Sequence, residues 1–205
     1  MSLDDRTGNA LRFVAHFYDQ RKVGDTGYLG FRRSTDLSRL SACLDTLIEK
    51  GLLVSGESLF LDMGCGDGRV NVLFSYLVRK SIGIEMDEWT LDEYVPLKEE
   101  LFVRLKKDHL PLPPQNIYLF YGNTMDENLH RRIFSEAGLY FEDYDIFYTY
   151  LTMHEEFAGL ISRKAKKGAL FMVYGLENVL PRLDGLRLLT PQKPLEGILA
   201  LYQKE

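Results

Sequence analysis

The chain has 205 residues, 45% hydrophobic and 27% charged, with a formal net charge of −5. That length suffices for a substantial core, and the charge argues against a dedicated nucleic-acid binder, a local basic patch aside. No stretch approaches a membrane span, no secretory leader opens the chain, and Cys43 and Cys65 form neither a disulfide framework nor a metal-ligand spacing, so a soluble cytoplasmic protein without a metal is expected.

The predicted elements alternate between helix and strand. Apolar residues at helical spacing over 10–22, from Ala10 to Tyr18, predict a first helix. Residues 24–31 carry three glycines and two aromatics and read as a loop. Ser34, Thr35 and Asp36 offer helix caps, and Leu37, Leu40, Leu44 and Leu47 form an amphipathic stripe that stops at Gly51. Leu59 to Leu61 is a short buried strand, followed by Gly64, Gly66 and Gly68 and by a helix-period stretch from Val70 to Leu77. Ser81 to Glu85 is the next strand. A helix over 89–107 should be started, kinked or divided by Pro96. Asn116–Tyr121 is a third strand, 126–137 a short helix and Asp145–Leu151 a fourth strand. Residues 153–166 form a helix whose trailing cations suit its C-terminus and whose Gly168 suits its cap. Ala169–Tyr174, Leu186–Leu189 and Ile198–Tyr202 complete the strands. The expected fold is an α/β, mostly parallel, doubly wound sheet with one antiparallel strand. Residues 1–50 are expected as a helical segment and lid loop packed on a core of residues 51–205.

The chemistry concentrates at residues 59–69, where a strand runs into a glycine loop and a helix. Open parallel sheets bind ligands at such strand ends, and glycine lets a ligand approach the backbone. The loop reads G-x-G-x-G, with Arg69 in place of a third dinucleotide-type glycine, and it holds Asp62 and Asp67. A pyrophosphate at a helix N-terminus would be repelled by these acids, whereas a ligand bearing ammonium and sulfonium charge would suit them. No Gly-Lys-Ser/Thr follows, so a P-loop is excluded. Glu85 ends the next strand 21 residues after Gly64, a spacing at which a carboxylate can accept from ribose hydroxyls.

These residues resemble motif I and the following strand end of the class I, Rossmann-like S-adenosyl-L-methionine-dependent methyltransferases. The resemblance implies a seven-stranded sheet in the order 3-2-1-4-5-7-6. It implies that Asp62, Gly64, Cys65, Gly66 and Asp67 hold the methionine part of the cofactor, that Glu85 binds the ribose and that Met86 packs on the adenine. Asn123 and Thr124 stand where the family usually has an acid facing the adenine amino group. Tyr148 and Tyr150 end the fourth strand beside the transferred methyl group, and Tyr150, Thr152 and His154 are candidates to orient the acceptor or take its proton. His154 is also a plausible helix cap or packed residue, and Cys65 a small filler rather than a nucleophile. The chain lacks the Asn/Asp-Pro-Pro-Tyr of base amino-methyltransferases and the Pro-Cys pair of cytosine C5 enzymes. The order of Gly27-Tyr28-Leu29-Gly30-Phe31, an amphipathic helix, Asp67-Gly68-Arg69-Val70, and Gly83-Ile84-Glu85 before Trp89 also looks like the seven-strand protein-lysine methyltransferases, including non-SET histone enzymes and the ATP-synthase c-subunit enzyme. That likeness makes Tyr28 and Phe31 candidate lid and substrate residues.

The expected function is methyl transfer to a protein lysine or another nucleophile. The alternatives are transfer to a small metabolite and an inactive binding protein on the same frame. A nicotinamide oxidoreductase is disfavoured by Arg69 and the acidic loop.

Overall fold

The computed structural model describes residues 4–21, 23–27, 30–32, 34–176, 180–189, 195 and 197–205, with 23–27 and 30–32 described by their backbone only. Helix α1 spans Asp5–Asp19. It starts earlier than its apolar stripe because Asp4 accepts from the amides of Arg6 and Thr7, both at 3.0 Å, which caps a polar first turn. Within the stretch 24–31, expected as a loop, the described residues belong to an antiparallel pair, β1 (Val23–Gly27) and β2 (Gly30–Arg32). Glycine-rich strands lack the alternation by which strands are recognised. Helix α2 (Leu37–Glu49) begins at Asp36, whose carboxylate accepts from the Arg39 amide. The Asp19 carboxylate at the end of α1 accepts from the amides of Leu37 and Ser38, so one helix end caps the other.

The remaining strands are β3 (Leu59–Met63), β4 (Lys80–Glu85), β5 (Ile117–Tyr121), β6 (Ile146–Tyr150), β7 (Leu170–Tyr174), β8 (Leu186–Leu188) and β9 (Leu199–Lys204). They form one seven-stranded sheet in the order β5-β4-β3-β6-β7-β9-β8, with only β9 antiparallel to its neighbours. Counted among themselves, these strands have the expected order 3-2-1-4-5-7-6.

Side chains alternate between the two faces, as pleated strands require. Phe60, Ile146, Tyr148, Leu170 and Met172 pack with α1, α2, α3 (Arg69–Ser75) and α5 (Tyr94–Lys107). Leu61, Met63, Phe147, Phe171 and Val173 pack with α6 (Glu127–Ala137) and α7 (His154–Lys164). The helix expected over 89–107 is two helices, α4 (Glu88–Asp92) and α5. Pro96 lies in the first turn of α5, where a missing N–H leaves no helical bond unmade. Gly168 does not cap α7, which ends at Lys164 before an extended Ala165. Its amide instead donates to the Lys204 carbonyl at the start of the β7–β9 pairing. Lys164 pairs with Glu127 and Lys166 with Asp145, both outside a C-terminal capping role.

The chain leaves β3 for β4 and β5 on one side and returns to β6 on the other. The reversal opens a crevice at the carboxyl ends of β3 and β6, the place where open α/β sheets bind ligands.

Candidate functional site

At the end of β3 the chain turns sharply. The amides of Gly64 and Cys65 both donate to the Ile84 carbonyl, at 2.8 and 3.0 Å, pinning the turn to β4. Gly68 then takes a left-handed conformation, φ 75°, immediately before α3. A Cβ there would lie 2.8 Å from Leu119 and 2.9 Å from Tyr94. Gly83, on β4, is closer still: an added Cβ would sit 2.6 Å from both Asn71 Oδ1 and Leu119 and 2.8 Å from Cys65 Sγ. The loop and α3 therefore press directly on the β4 backbone.

A cavity of about 660 Å³ fills the crevice, a size suited to a cofactor-sized ligand. Asp62, Gly64, Cys65, Gly66 and Asp67 line it from β3 and the glycine loop. Glu85 and Met86 contribute from the end of β4, Asn123 and Thr124 from the end of β5, and Tyr148, Tyr150 and Thr152 from β6 and its following turn. The sequence-derived candidates thus converge on one space from four strand ends. His154 is not among the lining residues; its ring Nδ1–H donates to the Leu151 carbonyl at 2.7 Å. That bond closes the turn before α7. Tyr28 lies outside the described residues and the Phe31 side chain is likewise undescribed.

Three carboxylates meet here and have different surroundings. Asp67 is buried and engaged by Arg69, whose Nη2 lies 2.9 Å from Oδ2 and whose Nε lies 3.0 Å from Oδ1. Arg69 also donates to the Ser34 hydroxyl and stands over the Tyr18 ring. It ties the loop to α1 and to the segment before α2. Glu85 accepts from the Gly66 amide and from the Asp87 amide, each at 2.9 Å, so it holds the loop as well as facing the cavity. Asp62 is 1% exposed, and its Oδ1 has no hydrogen-bond partner among the described residues. Burial first, and then the charges of Glu85 and Asp67, hold the Asp62 carboxyl well above the usual carboxylate range. An unpaired buried carboxylate carries a large desolvation cost unless a cation meets it.

The Cys65 thiol is pushed far up, mainly by burial and next by Asp62. A thiol held in its neutral form is a poor nucleophile, and its place against Gly83 is that of a filler. Tyr148, the register partner of Asp62, is buried, and its hydroxyl meets that of Thr35 at 2.5 Å. Thr149 donates to the Met63 carbonyl at 2.8 Å, locking β6 to β3 below the cavity.

Several lining residues were not legible as such. Ser34 and Thr35 read only as caps, and Met153 and Phe157 read only as part of a helix; all four line the cavity. Met153 is left-handed, φ 56°. Such a conformation is uncommon for a side-chain-bearing residue and clusters at functional sites. A second cavity of about 680 Å³ lies at the opposite ends of the strands, around Ser58, Arg79 and Asp145. There Asp145 is already paired with Lys166 and accepts from the Leu59 amide.

No protein-family model and no curated protein matches the chain. Solved structures do. The chain is similar to yhhF of Escherichia coli, a methyltransferase by name, at 20% identity and a TM-score of 0.51 over 85% of this chain and 87% of that one. It also aligns with an RNA methyltransferase from Salinibacter ruber solved with S-adenosyl-L-homocysteine, at 13% identity and a TM-score of 0.49 over 78% and 88% of the two chains. The fold is that of the class I methyltransferases.

Proposed function

We propose that the chain binds S-adenosyl-L-methionine in the β3–β6 crevice and catalyses methyl transfer to an amine nucleophile, a lysine side chain of a protein. The observation that carries this reading is Asp62: a buried carboxyl group whose Oδ1 has no hydrogen-bond partner among the described residues, set in the wall of a cofactor-sized cavity. That oxygen calls for a donor from the ligand, and the ammonium of S-adenosyl-L-methionine supplies one whose charge also suits a carboxylate. A dinucleotide pyrophosphate would bring negative charge to Asp62 and Glu85 and is opposed by both.

In this reading Gly64, Cys65 and Gly66 offer close backbone contact to the methionine part, and Asp67 acts through Arg69 to keep the loop in shape. Glu85 has lone pairs left beyond its two backbone donors and accepts from the ribose hydroxyls. Met86 covers the adenine, with Asn123 and Thr124 at its polar edge. Tyr150 and Thr152 face the acceptor side, and His154 positions their turn through Leu151.

When bound, S-adenosyl-L-methionine would supply an activated methyl group for transfer to the acceptor nitrogen, leaving S-adenosyl-L-homocysteine. The acceptor must arrive as a neutral amine, its proton having passed to water, because an ammonium has no lone pair to offer. The chain's own contribution is alignment and exclusion of water. Tyr148, held by Thr35, and Phe157 give the wall that does this.

The test is titration calorimetry of the chain with S-adenosyl-L-methionine and S-adenosyl-L-homocysteine, with NAD as a control, repeated on Glu85→Ala. Binding of both sulfur ligands is expected, weakened by about 1–3 kcal/mol in the variant through loss of a charged acceptor. Transfer of labelled methyl to lysine in a protein lysate then follows. No binding of either sulfur ligand by the unaltered chain overturns the proposal.

A further inference from the structure

We propose that the mouth of this pocket is a docking face for a positively charged protein segment, seated on the exposed apolar side chains of Met86, Trp89, Tyr121 and Met125. The inference rests on the methyl-transfer reading for its purpose, and on surface chemistry for its content.

The four side chains share one edge of the crevice. Glu85 and Tyr121 are register partners at the ends of β4 and β5. Met86 follows Glu85 and lines the cavity, while Trp89 precedes Thr90 and Met125 follows Thr124, both of which also line it. Trp89 is 87% exposed, Met86 56%, Tyr121 49% and Met125 38%. A tryptophan left in water beside a binding cavity, with an exposed tyrosine and two exposed methionines at the ends of the neighbouring strands, is apolar surface of the kind that marks interaction sites. Tryptophan and tyrosine are also the side chains that anchor interfaces.

Charge selects the partner. Three of the segments that border the cavity, residues 85–92, 121–127 and 150–156, contain eight Asp and Glu and no Lys or Arg, in a chain whose net charge is −5; Glu85 is buried and Glu127 is paired with Lys164, so the exposed charge rests on Glu88, Asp92, Asp126, Glu155 and Glu156. The negative charge is therefore gathered at this edge and the remainder of the chain is net positive. Glu88 and Asp92 are exposed on either side of Trp89, and Glu155 and Glu156 are exposed in the first turn of α7 across the crevice. Such a rim repels the phosphates of a nucleic acid and steers cationic chains toward the opening. Lysine and arginine fit both features at once, because their aliphatic stems lie along apolar surface while their heads reach carboxylates or an aromatic face.

Trp89 is the chain's one tryptophan, so its fluorescence reports on this face alone. The full chain is titrated with poly-L-lysine, with transfer RNA and with poly-L-glutamate. Poly-L-lysine is expected to shift Trp89 emission to the blue and to bind at least about tenfold more tightly than transfer RNA, a difference of about 1.4 kcal/mol. Glu88→Lys with Asp92→Lys should weaken poly-L-lysine by about tenfold and leave S-adenosyl-L-methionine binding unchanged. The same reversal at Asp45 and Glu49, exposed on α2, should leave both unchanged. An unshifted emission with poly-L-lysine, or transfer RNA binding as tightly, overturns the proposal. Calorimetry with S-adenosyl-L-methionine on the same sample separates the two readings. Its failure removes the methyl-transfer reading, while the fluorescence result judges the docking face independently.

Discussion

Asp62 is buried beside Tyr148 on β6, in the wall that Glu85 shares, and its Oδ1 gains no partner among the described residues. The unfolded chain ionises this carboxyl near the ordinary value of about 3.9, while the folded chain holds the proton to higher pH. Stability therefore falls as pH rises from that ordinary value to the raised one, and the full cost persists above it. Asp62→Asn should raise the thermal midpoint of the ligand-free chain at neutral pH, measured by calorimetry. The same substitution should weaken S-adenosyl-L-methionine by about 1.5–3 kcal/mol, the range for a hydrogen bond to a charged group. Affinity in the unaltered chain should rise with pH as Asp62 ionises, up to about pH 8, where an α-ammonium gives up its own proton. A variant that lost both stability and affinity would contradict this assignment.

The glycine loop works as an element because β4 comes so close beneath it. Gly83→Ala places a methyl group against Asn71, Leu119 and the Cys65 sulfur, and overpacking of this kind costs about 1–3 kcal/mol. Denaturant unfolding should show that loss, and cofactor affinity should fall with it because Cys65 and Gly66 would be displaced. The elements that carry the candidate site were legible because their information is contiguous: a strand, its loop and its helix, then a strand ending in an acid. The seven-strand order came with the family resemblance rather than from periodicity. Other features were hidden for physical reasons. The β1–β2 pair is glycine-rich and has no alternating pattern. Arg69 read as a missing glycine and as part of a family run, yet its guanidinium also joins Ser34 and Tyr18, contacts that exist only once those distant segments pack beside the loop. Thr35 reaches Tyr148 from far away in sequence, and His154 turns to a carbonyl on its own turn, which residue type alone does not decide.

Across the whole molecule, the β3–β6 pairing that seals the crevice joins distant parts of the chain, whereas β3, α3, β4 and β5 follow one another closely. Closing a long loop is entropically dearer than closing short ones, and non-local pairings form slowly. If β6 docks last, Asp62 would stay hydrated through the early events and lose its water when β6 arrives. This gives the buried carboxylate a place in time as well as in space. If β6 docks after the rate-limiting barrier, Asp62→Asn leaves the refolding rate unchanged and slows unfolding. Stopped-flow chevrons of the two chains would then share a folding limb and separate on the unfolding limb; faster refolding in the variant would instead put β6 in the nucleus. A group kept for its ligand would thus govern how long the folded molecule lasts between encounters with it.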